Sequence, residues 1–157
     1  MGQVKADFKG LSNALKAIGS IHKAQVGILN NGKKSGKREF AKNVEIGIIH
    51  EFGSLTKNIP ARSFLRMPIE THFVKELKGN KKFDRAKVET AFLKGNTSQI
   101  AKDLGIAAER VILQAFDTEG WGQWEENAEA TIKAKGSDKP LIDTGALRRS
   151  ITSRVKK

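Results

Sequence analysis

The residues best suited to chemistry in this chain are its three histidines, His22, His50 and His72. Only His50 has a neighbour that could act with it, because Glu51 follows directly. The pair begins like the metal-binding motif HExxH, in which two histidines one helical turn apart hold the ion. That motif would need a histidine at position 54, where the chain has Ser54. We therefore predict no catalytic residue, no metal site and no cofactor.

Other sequence motifs for catalysis are missing as well. The chain has no cysteine, which excludes disulfides and thiolate metal ligands. It contains no GxSxG, Walker or GxGxxG motif. Its carboxylates cluster within 117–130 with no cation among them, and we interpret them as a solvated acidic surface (Asp117, Glu119, Glu125, Glu126 and Glu129).

Three short blocks remain, and the first comprises His50, Glu51, Phe52 and Gly53. Taken alone, it is ordinary for the end of a strand: Phe52 would enter the core, and Gly53 would supply the positive φ of the exit. A small hydrolase or toxin that uses His50 and Glu51 is the functional alternative. Replacing His50 by glutamine would then abolish an activity while leaving assembly intact.

The second block reads IPARSFLR. Pro60 stiffens an extended turn beside Ala61, and Phe64 and Leu65 are expected to fill either the core or a neighbouring subunit. Arg62 is flanked by small residues, so its guanidinium is free to bind a carboxylate or backbone carbonyls in bidentate fashion. A buried Arg62 that fixes the structure and an Arg62 at an interface are both open at this point.

The third block reads PLIDTGALRRSI. Asp143, which Thr144 and Gly145 follow, is expected to cap a short helix by accepting the amide hydrogen of Gly145 or Ala146. Gly145 keeps that approach open, and Leu147 then lies on the apolar face of the helix. The structural interpretation of this block is simply a capped helix.

Hydrophobic spacing predicts the elements that must position these blocks. Strands are expected near 24–29, near 43–50 and near 150–155, where apolar residues alternate with others. Helical spacing runs from Phe8 to Ile18, and the strongest signal is a helix near 98–116 with one apolar face over four turns. The sequence therefore predicts an α+β protein in which a small antiparallel sheet packs with several helices.

Loop and cap signals complete this arrangement. Residues 30–42 are polar and basic, and we predict a long flexible hairpin loop there. Pro68 suits the first turn of a helix, Asp84 can cap another, and Thr97 or Ser98 can cap the long one. Four cations of the loop form a basic patch that could face DNA or a partner (Lys33, Lys34, Lys37 and Arg38).

Length and composition predict one domain over residues 1–157 with a modest core. Only 38% of the residues are hydrophobic, so part of the stability is expected to come from neighbours in an assembly. The net charge of +12 fits nucleic acid, an anionic surface or acidic protein neighbours. No stretch approaches the roughly 18 apolar residues of a membrane span, and the first residues lack the apolar core of a signal peptide.

In combination, the three blocks resemble the neck and tail-completion proteins of long-tailed bacteriophages, often labelled virion morphogenesis proteins. That family's pattern is HEFG after Ile or Val, IPARPFL, an amphipathic helical middle, WxPLxxxTxxxK and finally PLIDTGxLxxSI. The match covers residues 44–151 in the same order. Ser63 replaces a proline of the family, and the Pro-Leu after Trp124 is missing, although Thr131 and Lys135 keep the rest of that spacing.

The resemblance implies a structural role without catalysis. Such subunits form a ring between the head connector and the tail tube, or cap the tube's head-proximal end, and leave a channel for DNA. By the same resemblance we expect a homo-oligomeric ring of six copies, with twelve as the alternative, that contacts head-closure or connector proteins and tail-terminator or tail-tube proteins. The subunit would be assembled in the host cytoplasm and located in the neck of the virion.

The charge pattern suits such a role. The acidic segment 117–130 contrasts with a basic tail that carries Arg148, Arg149, Arg154, Lys156 and Lys157. We expect one basic patch to meet an acidic neighbour and another to face the channel, in weak contact with DNA of any sequence. The alternative function is a basic nucleic-acid-binding protein without ring assembly, although the few aromatic residues are not interleaved with the basic ones as a stacking surface requires.

Overall fold

The chain folds into helices around a two-stranded antiparallel sheet, as a computed structural model describes it for residues 8–19, 21–29 and 37–157. This confirms the predicted α+β class. In chain order the elements are α1 (Phe8–Gly19), β1 (Lys23–Ile28), α2 (Lys37–Phe52), α3 (Arg66–Gly79), a 3-10 turn (Lys81–Phe83), α4 (Arg85–Leu93), α5 (Thr97–Asp117), α6 (Glu129–Lys135), α7 (Ala146–Arg149) and β2 (Ile151–Lys156).

The sheet joins an early strand to the last one, and both agree with the predicted positions near 24–29 and 150–155. β1 and β2 run antiparallel, with Lys23 opposite Lys156 at one end and Ile28 opposite Ile151 at the other. Because side chains alternate between the faces of a strand, Ile28 and Ile151 point to the same side. α5 packs against that side of both strands.

The long helix α5 forms the centre of the structure, as its apolar period predicts. It has 21 residues, and its buried residues include Ala108, Val111, Ile112 and Phe116. At the N-terminal end, Gly105 is buried where a Cβ would lie 3.0 Å from the Cβ of Ser153 in β2. This close approach of helix and strand depends on a residue without a side chain.

The core is aromatic and draws on distant parts of the sequence. Phe64 and Phe116 have ring centroids 5.4 Å apart, and Phe116 meets Trp124 edge-on at 5.8 Å. Such tilted and edge-to-face pairs are the preferred aromatic geometries. Leu147 and Ile151 complete the cluster. Residues from the second and third blocks therefore meet on α5 in one core.

The strand predicted near 43–50 is wrong, because these residues belong to α2. The buried residues are Asn43, Gly47 and Glu51, which are spaced four apart as on one side of a helix. The apolar Ile48 lies on the outside instead. An inner side made of small and polar residues gave no apolar helical period, so the sequence was misread as an alternating strand.

The predicted hairpin loop at 30–42 is corrected in part by the same helix. Residues 37–42 lie in α2, so Lys37 and Arg38 belong to its first turn. Residues 30–36, with Lys33 and Lys34, lie outside the described residues. The basic patch is thus at least partly helical.

Two of the predicted caps are confirmed and one is wrong. The carboxylate of Asp84 accepts the amide hydrogens of Ala86 and Lys87 at the start of α4, as predicted. Pro68 is buried in the first turn of α3, also as predicted. α5, however, starts at Thr97 after Asn96, and no side chain caps it.

None of the helices that the structure describes is both long and apolar enough to cross a membrane.

Candidate functional site

An open cleft of about 1010 Å³ gathers residues from every block of the sequence motif. We call it the motif cleft. The first block contributes His50, the second contributes Pro60 and Arg62, and the third contributes the segment from Asp143 to Leu147. The residues that keep the Thr-x-x-x-Lys spacing also line it (Thr131 and Lys135).

Glu51 lies beneath the cleft and joins the first two blocks. Only 6% of it is exposed, and its carboxylate accepts four hydrogen bonds. Oε1 accepts from the hydroxyl of Ser63 at 2.6 Å and from the amide of Arg66 at 3.1 Å. Oε2 accepts from the amides of Phe64 and Leu65, both at 2.9 Å. Glu51 therefore caps the start of α3 from a different helix.

Arg62 joins the second block to the segment that follows the tryptophans. Its Nε donates to the carbonyl of Glu125 at 2.7 Å, and its Nη2 donates to the carbonyl of Glu126 at 2.8 Å. Its own amide donates to the carbonyl of His50 at 2.6 Å. Arg62 is 5% exposed, so the structure favours the interpretation of a buried residue bonded to backbone carbonyls. Burial lowers the pKa of Arg62, and the charge of Glu125 opposes that effect.

His50 is the polar residue of the cleft that has an unsatisfied atom. Its Nδ1 is buried and has no hydrogen-bond partner among the described residues. Burial lowers the pKa of His50, and the positive charges of Arg62 and Lys135 lower it further. A histidine in these surroundings favours the neutral imidazole.

Lys135 and Asp143 both line the cleft, and their charges interact. Burial lowers the pKa of Lys135, the charge of Asp143 raises it, and the charge of Arg62 lowers it. Lys135 also donates from Nζ to the carbonyl of Lys139 at 2.9 Å, just after the C-terminal end of α6. The wall of the cleft therefore contains both positively charged side chains and carboxylates.

Asp143 does not cap a helix, which corrects the prediction for the third block. α7 starts after Gly145, which has a φ of 75° and no side-chain cap. The amide of Ala146 donates instead to the hydroxyl of Thr144, at a long 3.3 Å. Asp143 is exposed and faces the cleft, whereas Leu147 is buried in the core as predicted.

The first block leaves α2 through a tight exit. Gly53 has a φ of 75°, which confirms the predicted positive value. A Cβ there would lie 2.9 Å from the amide nitrogen of Ala61 and 3.0 Å from the carbonyl oxygen of Ile59. The turn that follows Gly53 is closed by two backbone hydrogen bonds: the amide of Ser54 donates to the carbonyl of Ile59, and the amide of Ile59 donates to the carbonyl of Ser54. This turn lays the second block alongside the first.

Phe52 points away from the core, contrary to the prediction. It is 69% exposed, as Ile48 is 56% exposed one turn earlier. Leu55, just beyond the helix, is completely exposed and borders the cleft. We call Ile48, Phe52 and Leu55 the α2 stripe. Ile48 and Phe52 are neighbours on one side of α2, and large apolar side chains exposed next to each other are typical of a protein–protein contact.

Several residues of the cleft could not be found from the sequence blocks. Lys42, Asn43 and Ile46 line it from α2, one and two turns before His50. Their helical spacing would have identified them, but the segment was interpreted as a loop and a strand. Asn127 and Ala128 line it from the connection after Trp124, where the chain departs from the family pattern. No spacing signal was present there.

The two tryptophans fix the acidic segment to the rest of the chain. Trp124 donates from Nε1 to the carbonyl of Ser63 at 3.3 Å. Trp121 stacks on His72 of α3, with ring centroids 3.6 Å apart. Asp117 accepts from the guanidinium of Arg148 at 2.9 and 3.0 Å, so one acid of this segment pairs with the basic tail of its own subunit.

The hydrogen bonds of Glu51 limit what its carboxylate can do chemically. Four donors occupy the lone-pair positions of Glu51, so that carboxylate has no position left for a substrate proton. Within the described residues, His, Asp and Glu form no group of three that could hold a metal ion.

No protein-family model, curated protein or solved structure matches the chain.

Proposed function

We propose that this chain is a structural subunit of a tailed-bacteriophage virion that assembles with copies of itself into a ring at the head–tail junction. The ring completes the tail, joins it to the DNA-filled head and leaves a channel for DNA. No bond is made or broken. The subunit acts by fitting its contact surfaces to those of its neighbours, and the resemblance of its three ordered blocks names those neighbours as other virion proteins.

The α2 stripe is the observation that carries this proposal. Ile48 and Phe52 are one helical turn apart and more than half exposed, and Leu55 continues the row. Burying such side chains against a partner removes apolar surface from water, at about 25 cal/mol for each Å². Two such side chains one turn apart on a helix therefore favour a contact with a partner.

A closed ring also needs a second, different contact surface, because head-to-tail contacts join two unlike patches of each subunit. Another set of large apolar residues is exposed at the N-terminal side, with Leu15 and Ile18 on α1 and Ile21 just after it. α1 packs against α4, whereas α2 packs against β1 and α7. Two separate apolar surfaces on different elements suit a head-to-tail contact.

The roles of the motif residues support the same conclusion. Glu51 caps α3, Arg62 bonds to two backbone carbonyls, and Leu147 fills the core. Each of these residues fixes the shape of the corner that bears the cleft and the stripe. A contact surface needs such rigid support, because flexible side chains and loops lose entropy when they are ordered in an interface.

The test compares assembly of the parent with that of a double variant, Ile48→Ser with Phe52→Ser. We expect the parent to form a closed oligomer in native mass spectrometry, of six copies or alternatively twelve, and its Tm to rise with protein concentration. The double variant should stay monomeric, with a Tm that no longer depends on concentration. The matched control, Val74→Ser with Leu93→Ser, also removes two exposed apolar side chains and should assemble as the parent does.

The joining role is tested on particles. Particles produced without the subunit should leave tails and filled heads unattached in negative-stain images. Added parent protein should restore joining, and the Ile48→Ser, Phe52→Ser variant should not. A parent that stays monomeric at every concentration and binds short duplexes in a salt-sensitive way would instead favour the alternative, a basic nucleic-acid-binding protein without a ring.

A further inference from the structure

The outward side of the β1–β2 ribbon carries cations and no acid. Lys23, Gln25, Thr152, Arg154 and Lys156 alternate with the residues that face α5, so they share the opposite side. Lys23, Arg154 and Lys156 are all exposed. We call these three residues the ribbon cations.

The ribbon places like charges directly opposite each other. Lys23 pairs with Lys156 in the register, and Arg154 lies two residues before Lys156 on the same side. Directly opposite Cβ atoms in such a pair are roughly 5 Å apart, and like charges at that distance destabilise a sheet. Residues two apart along a strand are roughly 7 Å apart. The backbone thus holds the Cβ atoms of three cationic side chains close together on one side of the ribbon.

No carboxylate of the described residues compensates them. The ion pairs among the described residues all involve other cations. Arg154 donates from Nε to the side-chain oxygen of Gln25 at 3.0 Å. The nearby acid Glu109 lies on the α5 side, where it accepts a hydrogen bond from Ser153. The repulsion among the ribbon cations is therefore unrelieved within the described part of the subunit.

We propose that the ribbon cations bind the phosphate backbone of duplex DNA. A duplex carries one negative charge for each ~1.7 Å of its axis, so it can neutralise three closely spaced cations at once. An exposed two-stranded ribbon is narrow enough to approach a groove edge. Lysine is a point charge that carries no base information, and the contact is made without regard to sequence.

This inference deepens the proposed function and rests on it for its setting, because it names the surface that meets DNA in the channel. Within the ring, the ribbon sides of the copies then line the opening. An acidic protein surface is the competing partner for the same charges. DNA is favoured over the acidic segment 117–130 of a second copy, since the acids of that segment are spread from the end of α5 to the start of α6 and one of them, Asp117, already pairs with Arg148.

The experiment measures binding of the free subunit to fluorescent duplexes across a range of salt concentrations. The ribbon variant is Lys23→Gln, Arg154→Gln, Lys156→Gln. The matched control is Lys78→Gln, Lys94→Gln, Lys133→Gln, which changes the net charge equally at three exposed lysines on other elements. The Tm of both variants is measured as well, and removing the Lys23–Lys156 repulsion should leave the ribbon variant at least as stable as the parent.

We expect the ribbon variant to lose about 2 to 3 from the slope of log affinity against log salt, and more than about tenfold in affinity at low salt. The control variant should keep most of the salt slope and most of the affinity at low salt. The parent should bind two duplexes of different sequence with similar affinity. Equal losses in the two variants would mean that only net charge matters, and unchanged binding in the ribbon variant would mean that these residues do not touch DNA. Either result overturns the proposal.

A further outcome separates the competing partner. If the ribbon variant binds DNA as the parent does but no longer binds polyglutamate or a second copy, the surface recognises acidic protein, and the DNA proposal fails. The assay needs no ring. A parent that never assembles would refute the proposed function and leave the ribbon result standing, and an intact ring with unaffected DNA binding would refute only the ribbon proposal.

Discussion

The carboxylate of Glu51 is buried and has no cation in hydrogen-bond contact among the described residues. The four hydrogen bonds that it accepts offset the cost of burying its charge. A buried carboxylate is costly unless its lone pairs are satisfied. Here three backbone amides and one hydroxyl point at it, and the amides are those of Arg66, the first residue of α3, and of the two residues just before it, Phe64 and Leu65. The partial positive charge of a helix N-terminus adds to the attraction.

The first prediction follows from this geometry and concerns Glu51→Gln. Glutamine keeps the shape but replaces one acceptor oxygen by an NH2 group, which would face the amides of Phe64 and Leu65 or the donors on the other side. We expect a loss of about 3 kcal/mol in the free energy of unfolding, measured by urea titration.

The control for that change is Glu45→Gln, which alters an exposed acid of the same helix. It should stay within about 0.5 kcal/mol of the parent. If Glu51→Gln were as stable as this control, the hydrogen bonds to Glu51 would contribute little, and the capping role would be wrong.

The second prediction concerns pH and His50. Burial and the charges of Arg62 and Lys135 lower the pKa of His50 from 6.5, so the unfolded chain binds a proton at higher pH than the folded protein does. Below pH 6.5 the unfolded state therefore holds more protons, and stability falls as the pH drops through the window between the two pKa values. We expect the parent to lose stability as the pH falls through 6.5 and below, towards the lowered pKa of folded His50.

The variant His50→Gln should lose less stability over the same pH range, because it removes the group that titrates. The variant Lys135→Gln should lose an intermediate amount of stability, because it removes a cation that lowers the pKa of His50. Thermal unfolding in a series of buffers measures all three. Identical pH dependence in the parent and His50→Gln would exclude His50 as the source.

At the level of elements, α2 explains why sequence patterns succeed in one place and fail in another. α5 was predictable because its buried side is apolar, with Val111, Ile112 and Phe116 at helical spacing. The buried side of α2 carries Asn43, Gly47 and Glu51 with Ile46 beside them, whereas Ile48 and Phe52 are exposed. Hydrophobic periodicity assumes that apolar residues face inward, so it does not identify a helix whose buried side is mostly small or polar.

Caps show the same contrast on a smaller scale. Asp84 was found because a carboxylate just before a helix has one common local geometry. Asp143 was predicted for the same reason, but Gly145 with a φ of 75° rotates the chain before α7 starts. The part that Glu51 plays in capping α3 could not be predicted locally, because Glu51 lies on another helix, whereas the hydroxyl of Ser63, close in sequence, accepts the amide hydrogen of Met67 at 2.9 Å.

The third prediction concerns the contact between α5 and β2. At Gly105 a Cβ would lie 3.0 Å from the Cβ of Ser153, and that neighbour is fixed close to the strand backbone. Gly105→Val should therefore separate the helix from the strand and lower the free energy of unfolding by about 2 kcal/mol. Urea titration measures the change.

Gly79→Val is the matched control, since a Cβ at this last residue of α3 would meet nothing within 4 Å. We expect its stability to stay close to that of the parent. Equal stability of Gly105→Val and Gly79→Val would show that the strand can move aside, and the tight crossing would not be essential.

At the scale of the whole molecule, the elements were easier to predict than their meeting points. β1 pairs with β2 across nearly the full chain, and Arg62 reaches the carbonyls of residues more than sixty positions later. Nothing local in the sequence encodes such distances. The order of the three blocks indicated that they belong together, and only the fold brings them to one cleft.

The bonds of Arg62 have a consequence for how this corner can change over time. The guanidinium binds main-chain oxygens at 125 and 126, and every amino acid has one, proline included. The two glutamate side chains there are exposed, so their identity is free to vary while the attachment persists. A chain built in this way can exchange the residues it presents to its surroundings and keep the same architecture under a new surface.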